Sequence, residues 1–268
     1  MQITERYIRN NTSFTANLIG ADWRYTNFQQ HGAKGAVLHS IGIQQPSAAV
    51  IANNFDRSDA DASVHAVLQA DGQVLQLMPW NYRAWHVGGG ANGSANDTHI
   101  GVEMTEPDCI WYDAKNGYKL HINDRARALD FVRKTYAEAV ELFAWLCAEH
   151  DWNPLADGVI LSHKECCARG IGSNHGDPEH LWDALDTGYT MDTFRRDVAE
   201  EMEVNMKRYN KIEEMPAWAK EPIKALVDAG ALQGDEKGNL NLTEDMMRTL
   251  IISQRYADSV GCCKVVGK

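Results

Sequence analysis

Two short apolar runs, far apart in the chain, each end in a histidine: Gly35-Ala-Val-Leu-His39 and Gly158-Val-Ile-Leu-Ser-His163. Runs of this length and composition read as buried strands. Open α/β sheets gather their ligand sites where strands end at one edge. Two strand-end histidines can converge there, although a lone histidine in that position is more often a satisfied structural residue. Spacing alone leaves both readings open. Strands like these, together with the helices read further along the chain, make an α/β fold the expectation.

Other segments extend this picture. Val64-His-Ala-Val-Leu68 and Val74-Leu-Gln-Leu77 flank Asp71-Gly72, the signature of a tight hairpin. Ile100-Gly-Val-Glu-Met104 reads as another strand, and the glycine-rich stretch 88–94 as a loop. The rest of the first part reads as strands and loops. Leu129, Val132, Tyr136, Val140, Phe143 and Cys147 recur every three or four residues, which predicts a helix over about 124–150. A second helix is expected over about 191–204, opened by Asp192. Residues 206–214 look like a charged linker between a domain over 1–205 and a small helical domain over 215–268. In the latter, Pro222 suits a first helical turn, Gly230 a helix stop, and Thr243 the cap of a last helix carrying Met246, Leu250 and Ile251.

Composition closes off several classes. A net charge of −11 over 268 residues, with no basic patch, argues against nucleic acid as a partner. No run is long and apolar enough to span a membrane. The N-terminus shows no secretory leader, so the expectation is synthesis in a cytoplasm. The six cysteines, two pairs of them adjacent (Cys166-Cys167 and Cys262-Cys263), suit neither a disulfide framework nor a zinc knuckle and read as free thiols.

Three further residues carry possible chemistry. Asp177, before Pro178, is either a turn residue or a carboxylate ligand. His175 lies two residues earlier, so an extended backbone turns both side chains to one side. Glu103 interrupts a strand of Ile, Val and Met. It either faces solvent or sits in a cleft with a partner, because an unpaired buried carboxylate is costly.

Several segments, in order, resemble the zinc-dependent N-acetylmuramoyl-L-alanine amidases of the type-2 group, the family of T7 lysozyme and the peptidoglycan recognition proteins. They are Val-Leu-His39-Ser, His65 to Pro79, Ala84-Trp85-His86-Val-Gly88, His99-Ile-Gly-Val-Glu103, Leu-Ser-His163-Lys-Glu and His175-Gly-Asp177-Pro178-Glu-His-Leu-Trp182. The resemblance covers about residues 20–185 and implies a mixed central β-sheet flanked by helices. It implies one Zn2+ held by His39, His163 and Asp177, with a coordination position open for water or substrate. Glu103 falls on the family's general base and His175 on its oxyanion-stabilising position, where many members carry lysine. His65, Trp85 and His86 fall among cleft-lining residues. Cys166 and Cys167 are alternative thiolate ligands; Glu179, His180 and Trp182 are read as packing or capping the site.

The implied reaction cuts the amide between N-acetylmuramic acid and the L-alanine of the stem peptide in bacterial peptidoglycan. Residues 215–244 resemble one degenerate S-layer-homology repeat, which suggests wall attachment; packing on the catalytic domain or homodimerisation is the alternative. The resulting expectation is a phage or prophage endolysin, reaching the wall after holin-mediated release or lysis. A cytoplasmic muropeptide-recycling amidase and a non-catalytic peptidoglycan-binding protein are the rivals.

Overall fold

A computed structural model describes residues 1–205 and 208–259; Cys262 and Cys263 lie outside the described residues. The chain forms two compact units, 1–202 and 203–268.

The first unit begins with β1 (Gln2–Glu5), α1 (Thr12–Ile19) and α2 (Trp23–His31), then β2 (Gly35–Ser40), α3 (Ala48–Phe55), β3 (Ala66–Leu68) and β4 (Gln73–Gln76). It continues with β5 (His99–Met104), β6 (Ile110–Asp113), β7 (Lys119–Ile122), α4 (Arg125–Glu149), β8 (Ile160–Ser162), α5 (His163–Ala168), α6 (Glu179–Ala184) and α7 (Met191–Asn205). Six strands form one mixed sheet in the order β1-β4-β3-β5-β2-β8, with β3 and β4 antiparallel and every other pair parallel. A separate hairpin pairs β6 with β7.

The sheet is covered on both faces. Alternate residues Ala36, Leu38, Ile100, Val102 and Ile160 pack on one side with Val132, Tyr136, Phe143 and Cys147 of α4 and Phe194 and Val198 of α7. Val67 and Leu75 face the other way, onto Ile51 and Ala52 of α3. Val37 and Leu161 share that second side with Val87, Ala95 and Cys166. Because side chains alternate along a strand, Val37 and His39 point to the same face, away from α4.

The hairpin at Asp71-Gly72, the strands at 35–40 and 99–104 and the long helix stand where the sequence puts them. Gly72 takes φ +84 in the turn and Asp124 caps α4 by accepting from Arg127 N. Residues 12–31 and 48–55, within a part expected as strands and loops, instead contain α1, α2 and α3. These helices are short, eight or nine residues each; Asn11 and Asp22 cap the first two, and Gly20 closes α1 in the left-handed region. α7 is opened by Thr190 rather than Asp192: Thr190 Oγ1 accepts from Thr193 N at 3.1 Å, while Thr193 Oγ1 accepts from Thr190 N at 2.8 Å.

The second unit contains α8 (Ala217–Asp228) and α9 (Glu244–Ser259) over a small core of Tyr209, Met215, Ala219, Ile223, Leu242, Met247 and Ile251. Residues 208–214, expected as linker, belong to this unit: Tyr209 is buried and exchanges two backbone hydrogen bonds with Leu242. Pro222 sits inside α8 rather than in its first turn, and Pro216 precedes the helix. Gly230 does follow its end, at φ +69. Thr243 Oγ1 caps α9 by accepting from Met246 N; Met247 is the buried methionine, one position after the exposed Met246. Among the described residues, no helix is long and apolar enough to cross a membrane.

Candidate active site

Register builds the site. His39 pairs with Glu103 across β2 and β5, and Leu38 pairs with Ser162 across β2 and β8. The three adjacent parallel strands therefore deliver Glu103, His39 and His163 to one edge. His163 is the first residue of α5, whose start is fixed by a capping box: Ser162 Oγ accepts from Glu165 N, and the Glu165 side chain accepts from Ser162 N. Arg195 of α7 holds the Glu165 carboxylate from outside. Ser162 Oγ also donates to Glu179 at 2.8 Å, fastening α6 beside α5 and with it the segment that carries Asp177.

His39, His163 and Asp177 come together with their ligand atoms all within 4.8 Å of one another. His39 Nδ1 lies 3.0 Å from Asp177 Oδ2, and His163 Nδ1 lies 3.3 Å from Asp177 Oδ1. The hydrogen-bond chains behind these rings assign their protons. His86 Nε2 faces the carbonyl of His99 at 3.2 Å and must donate, which leaves its Nδ1 an acceptor. His39 Nε2, 2.9 Å from that Nδ1, is then the protonated nitrogen. Ser173 Oγ gives its proton to Val87 O at 3.2 Å and so accepts from His163 Nε2 at 3.0 Å. Both histidines thus turn a bare Nδ1 toward one carboxylate.

Lone pairs facing a carboxylate at these distances require a cation or protons between them. Burial pulls His39 below the ordinary histidine range. Where protons rather than a cation fill that gap, burial opposes ionisation of Asp177, but the hydrogen bonds then donated by His163 and His39 outweigh it and hold the carboxyl far below its usual range. Two neutral imidazoles and one carboxylate, each imidazole oriented through its other nitrogen, fit a divalent zinc ion.

Glu103 is buried beside this cluster, and its Oε2 has no hydrogen-bond partner. Burial, reinforced by the carboxylates of Asp177 and Glu106, pushes its carboxyl well above the normal range. The cleft measures about 550 Å³ and is lined by His39, Ser40, Ile41, Gly42, His86, Glu103, Tyr112, Tyr118, His163, His175, Gly176, Asp177 and His180. His175 is exposed at its rim, its ring edge-on to His163 with centroids 4.5 Å apart.

Other expected site residues lie elsewhere or act differently. His65 is fully buried and spends both ring nitrogens on backbone, donating to Tyr82 O at 2.7 Å and accepting from Gly101 N at 3.0 Å, so it cannot touch a ligand. Trp85 is half exposed outside the cleft, with the Arg83 guanidinium 5.2 Å from its ring. His86 lines the cleft, but both its ring nitrogens are committed, so it orients His39 instead of binding substrate. Gly101 makes room for it: a Cβ there would overlap the His86 ring. Cys166 is buried in the core and is no ligand. Trp182 is core, Glu179 anchors α6, and His180 reaches the cleft.

Sequence reading misses Glu106, Tyr112 and Tyr118. A second acid three residues after Glu103 was the only available sign of the first; the tyrosines arrive on the β6–β7 hairpin, which carries no apolar alternation strong enough to announce it.

Comparison with known proteins finds related chains. The family model described as N-acetylmuramoyl-L-alanine amidase matches residues 29–180, more than half of the chain. An N-acetylmuramoyl-L-alanine amidase CwlA from a Bacillus species is 32% identical over 113 residues, 42% of this chain and 36% of the relative. The CwlA of Bacillus subtilis strain 168 is 31% identical over 107 residues, 40% of this chain and 36% of the relative. The matches thus span little more than a third of the length of these curated relatives. The crystal structure of the Staphylococcus aureus hydrolase AmiA in complex with its ligand superposes with a TM-score of 0.53 at 16% identity, covering 76% of this chain and 84% of that one, a likeness of fold.

Proposed function

The chain belongs to the N-acetylmuramoyl-L-alanine amidase family, and from that premise we propose that it hydrolyses the amide joining N-acetylmuramic acid to the L-alanine of the peptidoglycan stem, as a zinc enzyme of the phage endolysin type. The observation that carries this reading is the convergence of His39 Nδ1 and His163 Nδ1 on the Asp177 carboxylate next to Glu103.

Zinc held by His39, His163 and Asp177 would supply Lewis acidity, polarising the scissile carbonyl and acidifying water. Glu103 is the proton carrier: the residue lines the cleft, and its carboxyl takes a proton from the attacking water and returns it to the leaving nitrogen. Its raised affinity for protons suits the second half of that task. His175, exposed at the rim, hydrogen-bonds the developing oxyanion. His86 and Ser173 keep the two ligand rings in the tautomer that exposes Nδ1. The second unit, with its own small core, is assigned to wall attachment on its resemblance to an S-layer-homology repeat.

The test is release of L-alanine amines from purified peptidoglycan by native, chelated, zinc-restored and Glu103→Gln protein. Amine release without new reducing sugar, lost with chelator, regained with zinc and absent in a zinc-loaded Glu103→Gln protein is the expected result. No release by the zinc-loaded parent from walls of several chemotypes would sink the hydrolytic reading. Release from soluble muropeptides but not from intact walls would replace the endolysin role with recycling.

A further inference from the structure

Glu106 is fully buried, yet the reaction outlined above gives it nothing to do. Its carboxylate accepts from the Tyr112 hydroxyl at 2.7 Å and from Gly42 N at 3.1 Å. The Tyr112 oxygen also lies 2.8 Å from His180 Nε2. Tyr112 and His180 line the cleft that contains Glu103 and Asp177, while Glu106 stands behind them.

The direction of this hydrogen-bond chain follows from the charge on Glu106. Burial and the neighbouring Glu106 carboxylate hold the Tyr112 phenol far above its ordinary range, so it stays protonated. A phenol has one proton and two lone pairs. Once Glu106 is ionised, which burial delays to about pH 7, the hydroxyl proton is directed to it, and the contact to His180 has the Nε2–H as donor and the Tyr112 oxygen as acceptor. One lone pair of that oxygen is left over. A hydroxyl free to rotate serves carbonyls and amides alike, whereas this one, with its proton taken, can only accept.

Resting on the amidase reading, we propose that Glu106 is a positioning residue that makes the Tyr112 hydroxyl a hydrogen-bond acceptor for an amide N–H of the bound stem peptide. The zinc-facing wall of the cleft handles the scissile carbonyl; the wall formed by Tyr112 and His180 selects the donor side of the peptide. The contact is made in the bound ground state as well as during reaction, so its loss falls on KM.

The experiment uses the full zinc-loaded chain and soluble N-acetylmuramoyl peptides released from walls. Tyr112→Phe keeps the ring and removes only the hydroxyl. It is expected to raise KM about tenfold, with kcat within about twofold and zinc content equal to the parent's. Glu106→Gln keeps an acceptor for Tyr112 but adds a competing donor, and should raise KM by a smaller factor. Combined with Tyr112→Phe, it should cost nothing further, since Glu106 acts only through that hydroxyl. An unchanged KM in Tyr112→Phe, a fall confined to kcat, a loss of zinc or additive effects in the double variant would each overturn the assignment while leaving the amidase reading intact. Should Glu106→Gln fail to fold, Tyr112→Phe decides alone. A parent protein that releases no amine removes the amidase reading itself, and this inference with it.

Discussion

His39 and His65 belong to neighbouring parts of the same sheet and look alike by every coarse measure. Both are buried, and burial pulls both below the ordinary histidine range, His65 to about 4. Yet one reads as a metal ligand and the other as scaffold. At the β3 side, both nitrogens of His65 meet backbone groups of residues 82 and 101, so the ring closes a gap between a loop and β5. At the end of β2, His39 has a neighbouring imidazole on one nitrogen and a carboxylate facing the other. Neither strand position nor burial distinguishes a ligand from a scaffold histidine. The identity of the second partner does.

The widest separation between these two regions is expected on zinc. His39→Ala should lose bound zinc and fall to roughly a thousandth of parental amidase activity or less, while remaining folded. Metal analysis beside amine release checks this, and retained stoichiometric zinc would refute the ligand assignment. His65→Ala should do the reverse. Removing the ring leaves a cavity and two unpaired buried backbone groups, worth about 3 kcal/mol of unfolding free energy, with zinc retained. Denaturant titration at fixed zinc measures it; a fully stable, zinc-free variant would erase the contrast.

His86 stands between the two regions, its ring against His39 on one side and 6.2 Å from His65 on the other. Its Nδ1 accepts the proton that keeps His39 Nδ1 bare. His86→Ala should therefore weaken zinc affinity by about 10- to 100-fold without abolishing binding. Competition with a chelator of known affinity reads the shift, and parental affinity would show that His39 needs no such orientation.

This contrast also marks how far the sequence could be read. The runs ending at His39 and His163, the Glu103 strand and the 71–72 hairpin were legible because buried strands and tight turns have short, local signatures. The candidate ligands His39, His163 and Asp177 were named from a resemblance to a family in which such positions recur, and the structure brings the three together. His65 and His86 carried the same signature as ligands, and only the tertiary partners Tyr82, Gly101 and His99 separate them. α1 to α3 were hidden because each spans only eight or nine residues, about two turns, too few for a helical repeat to stand out. Tyr112 reaches Glu106 and His180 through a hairpin and a distant helix, a relation with no local trace.

The smallest effect concerns the opposite wall of the cleft and extends the comparison from histidines to acids. Burial pushes the Glu106 carboxyl up to about 7, against hydrogen bonds that pull the other way. The folded chain therefore binds this proton more tightly than the unfolded chain. The stability it contributes is fully present below the ordinary carboxylate range and is lost as pH rises toward 7. Glutamine has no such dependence, so metal-free Glu106→Gln should gain on the parent as pH increases from 5 to 8. The gain should be of order 1–2 kcal/mol, less than the isolated shift implies, because Glu103 and Asp177 face the same space and share the field. Urea midpoints of the two proteins at several pH values in chelator give the slope. A flat difference would mean that Glu106 is ionised throughout, and that the acceptor state of Tyr112 is fixed rather than set by pH.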